Sequence, residues 1–213
     1  MTTPIVALAC PHGGVGKTVL AAQLAWTAAR LGRPTLLVDL DPLRCAGRIL
    51  PPRRGANTSM RGIEPAAADV DYLALPEEVA EEGGILAERL RSRDDVQQIL
   101  DYPPRPWARL GAVLALADRV VLPITPDRPG THSLGADLDV LYRRFGVRDL
   151  HIVVNRVDPG RAGPELAAIR RAFPALSLHV VPEVTDPVAD IRQRMEGAEI
   201  APWEALGAAL LDG

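Results

Sequence analysis

Residue type and spacing specify chemistry most directly in Pro11-His12-Gly13-Gly14-Val15-Gly16-Lys17-Thr18. A glycine-rich turn closing on Gly-Lys-Thr surrounds an anion. Its backbone N–H groups converge on phosphate oxygens, and the glycines allow a curl too tight for a Cβ. Lys17 would reach the β- and γ-phosphates, and the Thr18 hydroxyl would ligate Mg²⁺. Gly13, Gly14, Val15, Gly16, Lys17, Thr18 and Val19 are therefore the candidate phosphate contacts. Lys17 is the only lysine in the chain, against 23 arginines. A compact ammonium on a flexible stem fits inside a phosphate cradle, and a planar guanidinium does not.

Two elements must position this loop. The apolar run Ile5 to Cys10 reads as a buried strand leading in, and Val19 to Leu31 reads as a helix leading out. The helix turns its free N–H groups and the positive end of its dipole toward the same anion. After the turn at Gly32-Arg33-Pro34, Thr35 to Asp39 reads as a second buried strand, followed by Leu40-Asp41-Pro42. Two carboxylates, Asp39 and Asp41, thus lie just past the carboxyl end of a strand, where open α/β sheets bind ligands.

The Gly-Gly-Val-Gly-Lys-Thr loop followed by Leu36-Leu37-Val38-Asp39-Leu40-Asp41-Pro42 resembles the ParA/MinD family of deviant Walker-type ATPases. The resemblance implies an α/β, doubly wound, mainly parallel sheet with helices on both faces. It implies that ATP and Mg²⁺ are bound and that a homodimer forms around the nucleotide. It also gives Asp39 a place in a switch region near the metal, and Asp41 the task of positioning or activating the attacking water. These roles agree with phosphoryl transfer, which depends on an oriented nucleophile and neutralised charge. The family loop begins Gly-Lys-Gly-Gly, with a lysine that crosses to the partner's nucleotide. Here Pro11 and the shorter His12 stand in the first two of those places.

The same resemblance assigns residues further along. Asp95 to Asp101 followed by Tyr102-Pro103-Pro104 is similar to the family's Walker B strand, and Asp101 would hold Mg²⁺ through a water. Gln97 and Gln98 are unusual in such a strand, and at least one must find a hydrogen-bond partner or lie near the sheet surface. Leu150 to Val154 reads as a strand ending at Asn155, the candidate adenine contact, whose amide both donates and accepts. Leu178 to Pro182 reads as the last strand, with Pro182 and Glu183 flanking the adenine. Val120 to Ile124 is another buried strand. Tyr72 to Pro76 is a short one, and residues 43–68 read as an irregular loop. Helices are expected at Glu77 to Arg93 (broken near Gly83-Gly84), Ser133 to Phe145, Glu165 to Phe173, Pro187 to Met195 and Pro202 to Leu211. The last carries a stripe of Trp203, Leu206 and Leu210 but no Lys or Arg, so it is expected to pack on the core and not on a membrane.

At 213 residues, 47% hydrophobic and 4% aromatic, the chain fits a single domain spanning 1–213. Two cysteines make no disulfide framework, and the expected location is cytoplasmic, or nucleoid-associated if DNA is bound. The net charge of −3 does not by itself indicate nucleic-acid binding. Charge is uneven, however: residues 60–101 hold 4 arginines against 11 acids, and residues 143–194 hold 9 against 6. The resemblance implies non-specific DNA binding in the ATP state and release on hydrolysis, in partition or cargo positioning. It also implies a ParB-like or cargo-adaptor partner that stimulates turnover. The candidate DNA contacts are Arg143, Arg144, Arg170, Arg171, Arg192 and Arg194. No separate DNA-reading domain is expected before Ile5. Two other functions are compatible with the loop: a biosynthetic ATP-dependent ligase of the dethiobiotin-synthetase kind, and a nucleotide-binding interaction protein with weak hydrolysis.

Overall fold

The computed structural model describes residues 3–50, 63–65, 70–76, 78, 84–93, 95–126, 130–157, 163–187, 189 and 201–211. Its strands are β1 (Ile5–Leu8), β2 (Thr35–Asp39), β3 (Ile63–Pro65), β4 (Val70–Ala74), β5 (Gln97–Asp101), β6 (Arg119–Ile124), β7 (Leu150–Val157) and β8 (Ser177–Pro182). They form one sheet in the order β3-β4-β2-β5-β1-β6-β7-β8. All neighbours run parallel except β3, which pairs antiparallel with β4 at the edge. The expected mainly parallel architecture is therefore present. The antiparallel edge strand is an addition that lies within the stretch expected to be irregular.

The helices are α1 (Lys17–Arg30), α2 (Cys45–Ile49), α3 (Gly84–Arg91), α4 (Trp107–Leu116), α5 (Gly130–Asp139), α6 (Gly163–Ala172) and α7 (Ala201–Leu211). Alternate strand residues pack to opposite faces, as a strand period of two requires. Val6, Leu8, Leu37, Ile99, Val121, Val153 and Val181 pack with Leu20, Leu24 and Trp26 of α1 and Trp203, Leu206 and Leu210 of α7. Ala7, Leu36, Val38, Leu100, Leu122, Ile152 and Val154 pack on the other face with residues of α3, α4, α5 and α6. The apolar stripe of α7 is thus buried against α1. Arg33 Nη1 donates to Leu211 O at 2.6 Å and Arg119 Nη1 to Ala209 O at 3.4 Å, placing two cations at the negative end of this helix.

Several boundaries differ from the sequence expectation. Helix α4 was not anticipated. Its buried Leu110, Val113 and Leu114 follow helical spacing, but the run Pro103-Pro104-Arg105-Pro106 before it reads as loop. The helix expected from Ser133 to Phe145 starts at Gly130 and closes in a π-turn, Val140–Arg144, with Phe145 N bonded to Val140 O. Gln97 and Gln98 lie fully inside the sheet. Each finds main-chain acceptors, Gln97 Nε2 at Pro4 O (2.6 Å) and Gln98 Nε2 at Leu90 O and Arg93 O (3.0 and 2.8 Å). They thereby tie β5 to the start of β1 and the end of α3. Most of the expected helix from Pro187 to Met195, and most of the 43–68 loop, lie outside the described residues.

Pro123 sits inside β6, where a proline removes a ladder donor. Val121 O accepts from Ala9 N at 3.0 Å, so alternate residues of β6, Pro123 among them, face β1. β1 ends at Leu8 and Ala9 is its last bonded residue; beyond it the chain enters the glycine loop. The missing N–H therefore falls where the neighbouring strand has already left the sheet. The glycine loop, Asp39, Asp101 and Asn155 all lie at the carboxyl edge of the strands.

Candidate functional site

The loop from Ala9 to Gly16 passes from β1 over the start of α1. Gly14 (φ 72°) and Gly16 (φ 82°) adopt the left-handed conformation, and Gly16 O accepts the first helical bond, from Leu20 N at 2.9 Å. Gly16 is required on a second count, because a Cβ there would overlap Asn155 Nδ2. Lys17 is 6% exposed, and its Nζ donates to His12 O at 3.0 Å, inside the loop's own curl. Burial lowers its pKa, while Cys10, Asp101 and Asp41 act in the opposite direction.

Beneath the loop, Asp39 of β2 and Asp101 of β5 are register partners. Asp101 is 1% exposed, hydrogen-bonded to the Thr18 side chain, and has one oxygen, Oδ2, without a partner. Burial raises its pKa to about 7; the Thr18 bond opposes the rise and the Asp39 charge adds to it. A hydroxyl and an unsatisfied carboxylate oxygen side by side are hard donors suited to Mg²⁺. Among the described residues no group of three or more His, Cys, Asp or Glu could hold a metal ion. That donor set fits an ion that takes its remaining ligands from water and substrate phosphates.

Asp39 is fully buried and uses both oxygens within the chain. Oδ1 accepts from Asp41 N at 3.0 Å, and Oδ2 from Ala46 N at 3.2 Å and Tyr72 Oη at 2.9 Å. Burial raises its pKa, an effect these bonds oppose. Its carboxylate thus fixes the turn that carries Asp41 and docks α2. Gly47 permits this arrangement, since a Cβ would come within 2.8 Å of the Tyr72 ring. Asp41 is half-buried, and its Oδ1 accepts from Leu43 N at 2.9 Å.

The loop is braced from both flanks. On one side Asn155 Nδ2 donates to Val15 O at 2.9 Å and Arg156 Nη1 to Gly14 O at 3.3 Å. On the other, His12 Nε2 lies 3.2 Å from Ser133 Oγ and 3.5 Å from Asp137 Oδ2. Asp137 also accepts from Trp107 Nε1 at 2.7 Å. The position expected to carry the trans-acting lysine therefore turns toward α5 of its own chain. Tyr72, Trp107, Ser133, Asp137 and Arg156 have no motif, and sequence reasoning missed them; Arg156's place next to Asn155 was the available signal.

The structure brings Gly13 to Val19, Asp39, Asp41, Asp101 and Asn155 to one edge of the sheet. Pro182 and Glu183 close β8 beside β7, half-buried and exposed respectively. The candidate DNA contacts lie elsewhere. α5 and α6 start at the carboxyl edge and run back, so Arg143, Arg144, Arg170 and Arg171 are exposed toward the opposite edge. Arg143 pairs with Asp139 at 2.7 Å, and Arg144 lies 5.5 Å from the centre of the Phe145 ring. Arg192 and Arg194 are outside the described residues. A groove of about 480 Å³ lined by Leu138, Tyr142, Arg143, Phe173 and Leu176 lies in this region, away from the phosphate loop. Among the described residues no helix is long and apolar enough to cross a membrane.

Comparison with known proteins identifies the family and agrees with the fold. Residues 6–195 match the model of the CobQ/CobB/MinD/ParA nucleotide binding domain. The chromosome-partitioning ATPase Soj of Thermus thermophilus is 35% identical over 133 residues, covering 56% of this chain and 53% of that protein. The chain thus matches about half the length of this curated relative. Among solved structures, apo McdA of Cyanothece superposes with a TM-score of 0.75 at 17% identity, covering 97% of this chain and 98% of that one. Cobyrinic acid a,c-diamide synthase of Mycobacterium smegmatis, with a bound ATP analogue and magnesium, gives a TM-score of 0.69 at 20% identity, with coverage of 90% and 92%. At these identities the two structures establish the fold. The family match spans most of the chain: the protein belongs to the CobQ/CobB/MinD/ParA family of nucleotide-binding domains.

Proposed function

We propose that this chain is a ParA-type ATPase, which binds ATP with Mg²⁺ and dimerises around the nucleotide. It holds non-specific DNA in the ATP state and releases it on hydrolysis, in the service of partition or cargo positioning. The observation that carries the reading is the unsatisfied Asp101 Oδ2 beside Thr18, beneath a glycine loop that already encloses an ammonium. Such a site is built for a phosphate chain and a divalent ion together. Mg²⁺, when bound, neutralises phosphate charge. Thr18 and Asp101 would hold it, with the buried charge of Asp39 adjacent. Lys17 would move its ammonium from His12 O to the phosphates. Asp41, on the turn that Asp39 fixes, would orient the attacking water. Asn155, Pro182 and Glu183 would border the adenine.

Arg143, Arg144, Arg170 and Arg171, which lie remote from the nucleotide loop, supply cations for DNA; Arg192 and Arg194 are the other candidate contacts. Such contacts are phosphate-directed and salt-dependent. The partner would be a ParB-like or cargo-adaptor protein, and the location cytoplasmic, on the nucleoid. Two variants test the enzymatic part. Lys17→Ala should abolish ATP binding, whereas Asp41→Ala should bind ATP and accumulate as a dimer without turnover. Normal hydrolysis by Asp41→Ala would refute the role given to Asp41.

A further inference from the structure

The turn that carries Asp41 is strained. Arg44 N donates to Asp41 O at 2.9 Å and Leu43 N to Asp41 Oδ1 at 2.9 Å, and Arg44 closes the turn at a φ of 49°, in the left-handed region. An arginine keeps such a backbone only where its surroundings impose it. Here they centre on one buried carboxylate. Asp39 Oδ1 accepts from Asp41 N at the start of the strained segment, and Asp39 Oδ2 accepts from Ala46 N just past its end. Both of those donors belong to the segment being held. The carboxylate's third bond comes from another strand: Tyr72 Oη of β4 donates to Asp39 Oδ2 at 2.9 Å.

Sheet register explains why a tyrosine stands there. Asp39's own partner on β4 is Ala74, which offers no side-chain donor. Tyr72 is the partner of Leu37, so it shares a face with Leu37 and with Asp39 two residues further on. The length of a phenol is needed to cross that diagonal. Helix α2 confines the ring, because a Cβ at Gly47 would come within 2.8 Å of Tyr72 Cζ and 2.9 Å of its Oη. A hydroxyl donated to a buried carboxylate is a charge-assisted bond, and it fixes the orientation of the group that accepts it. We propose that Tyr72 is a positioning residue for hydrolysis: its hydroxyl fixes the Asp39 carboxylate, which fixes the turn that aims Asp41 at the attacking water. The proposal rests on the role given to Asp41 above.

The test joins two readouts, both taken well below the thermal midpoint of each protein. One is amide hydrogen exchange at Asp41 and Ala46 without nucleotide; the other is kcat, KM and equilibrium affinity for ATP with Mg²⁺. Tyr72→Phe removes only the donor. Gly47→Ala keeps the hydroxyl but displaces the ring, while raising helix propensity. Each should speed exchange at both amides several-fold. Each should also lower kcat about tenfold and leave KM and ATP affinity within about twofold of the wild type. Replacing Tyr72 with para-aminophenylalanine returns an N–H donor to the same place and should restore most of both. A merely structural tyrosine would lower the thermal midpoint and leave kcat of the folded protein unchanged. Wild-type kcat or wild-type exchange in Tyr72→Phe, or no recovery with para-aminophenylalanine, would overturn the proposal. Asp41→Ala separates the two levels. If it hydrolyses ATP at the wild-type rate, the role given to Asp41 fails; if it abolishes turnover while Tyr72→Phe does not reduce it, only the role of Tyr72 fails.

Discussion

Asp39 and Asp101 stand in register on neighbouring parallel strands, so two buried carboxylates end side by side under the glycine loop. They divide the work. Asp39 spends its oxygens on Asp41 N, Ala46 N and Tyr72 Oη, whereas Asp101 keeps Oδ2 unsatisfied beside Thr18. The first arrangement is structural and sets the turn at Asp41. The second is unfavourable without a cation, since an ionised carboxylate out of water next to a like charge loses stability.

Asp101→Asn removes that buried charge. At pH 8 the variant should be more stable than the parent by about 1–2 kcal/mol without metal or nucleotide, as expected when a functional charge is deleted. Urea denaturation measures the difference. Its affinity for ATP should no longer respond to Mg²⁺. A less stable variant with an unchanged Mg²⁺ response would contradict the assignment.

The pH dependence of stability should include a contribution from the opposite edge of the sheet. His151 Nδ1 lies 2.9 Å from His179 Nε2, and His151 Nε2 lies 2.8 Å from Asp149 Oδ1, while Asp149 Oδ2 accepts from Arg119 Nε at 2.6 Å. Burial lowers both histidine pKa values; Asp149 opposes this at His151, and His151 reinforces it at His179. A histidine with a depressed folded-state pKa binds fewer protons folded than unfolded. Its contribution to stability therefore rises with pH up to the ordinary value, about 6.5, and is flat above it. Replacing His179 with Asn should reduce this rise between pH 5 and 6.5. Denaturation midpoints over that range, measured in the Asp101→Asn background so that only the histidines differ, decide the matter. An unchanged profile would show that the pair does not couple to folding.

On the flank of the loop, Asp137 and His12 should differ in weight. Asp137 is 7% exposed and accepts from Trp107 Nε1 at 2.7 Å, so Asp137→Ala leaves that indole donor short of its partner and should cost about 1–3 kcal/mol. The His12 side chain is 45% exposed and 3.5 Å from Asp137, so His12→Ala should cost less than about 1 kcal/mol. Urea denaturation of the two variants gives the comparison, and equal losses would mean that the His12 contact is stronger than its geometry indicates.

What was legible in the sequence follows from how local each feature is. The loop, β2 and the order of strand and helix were readable because glycine spacing and apolar runs are properties of consecutive residues. Asp101 was placed by its Pro-Pro ending despite Gln97 and Gln98, whose main-chain acceptors are supplied by distant segments. β3 and α4 were missed, one inside a polar stretch and the other behind a proline run. The braces on the loop were not legible for a different reason. Asn155, Arg156, Ser133 and Asp137 reach the loop from β7 and α5, more than a hundred residues away, and only the sheet order brings them together.

The central element of the proposed function is a nucleotide switch that controls DNA binding. The direct measurement is binding of the purified protein to non-specific duplex DNA without nucleotide, with ADP and with ATP–Mg²⁺, at low and moderate salt. Binding is expected in the ATP state alone, weakening as salt rises. Failure to bind DNA in any state by a protein that still binds ATP would contradict it, and would favour a biosynthetic ligase or an interaction module on the same fold.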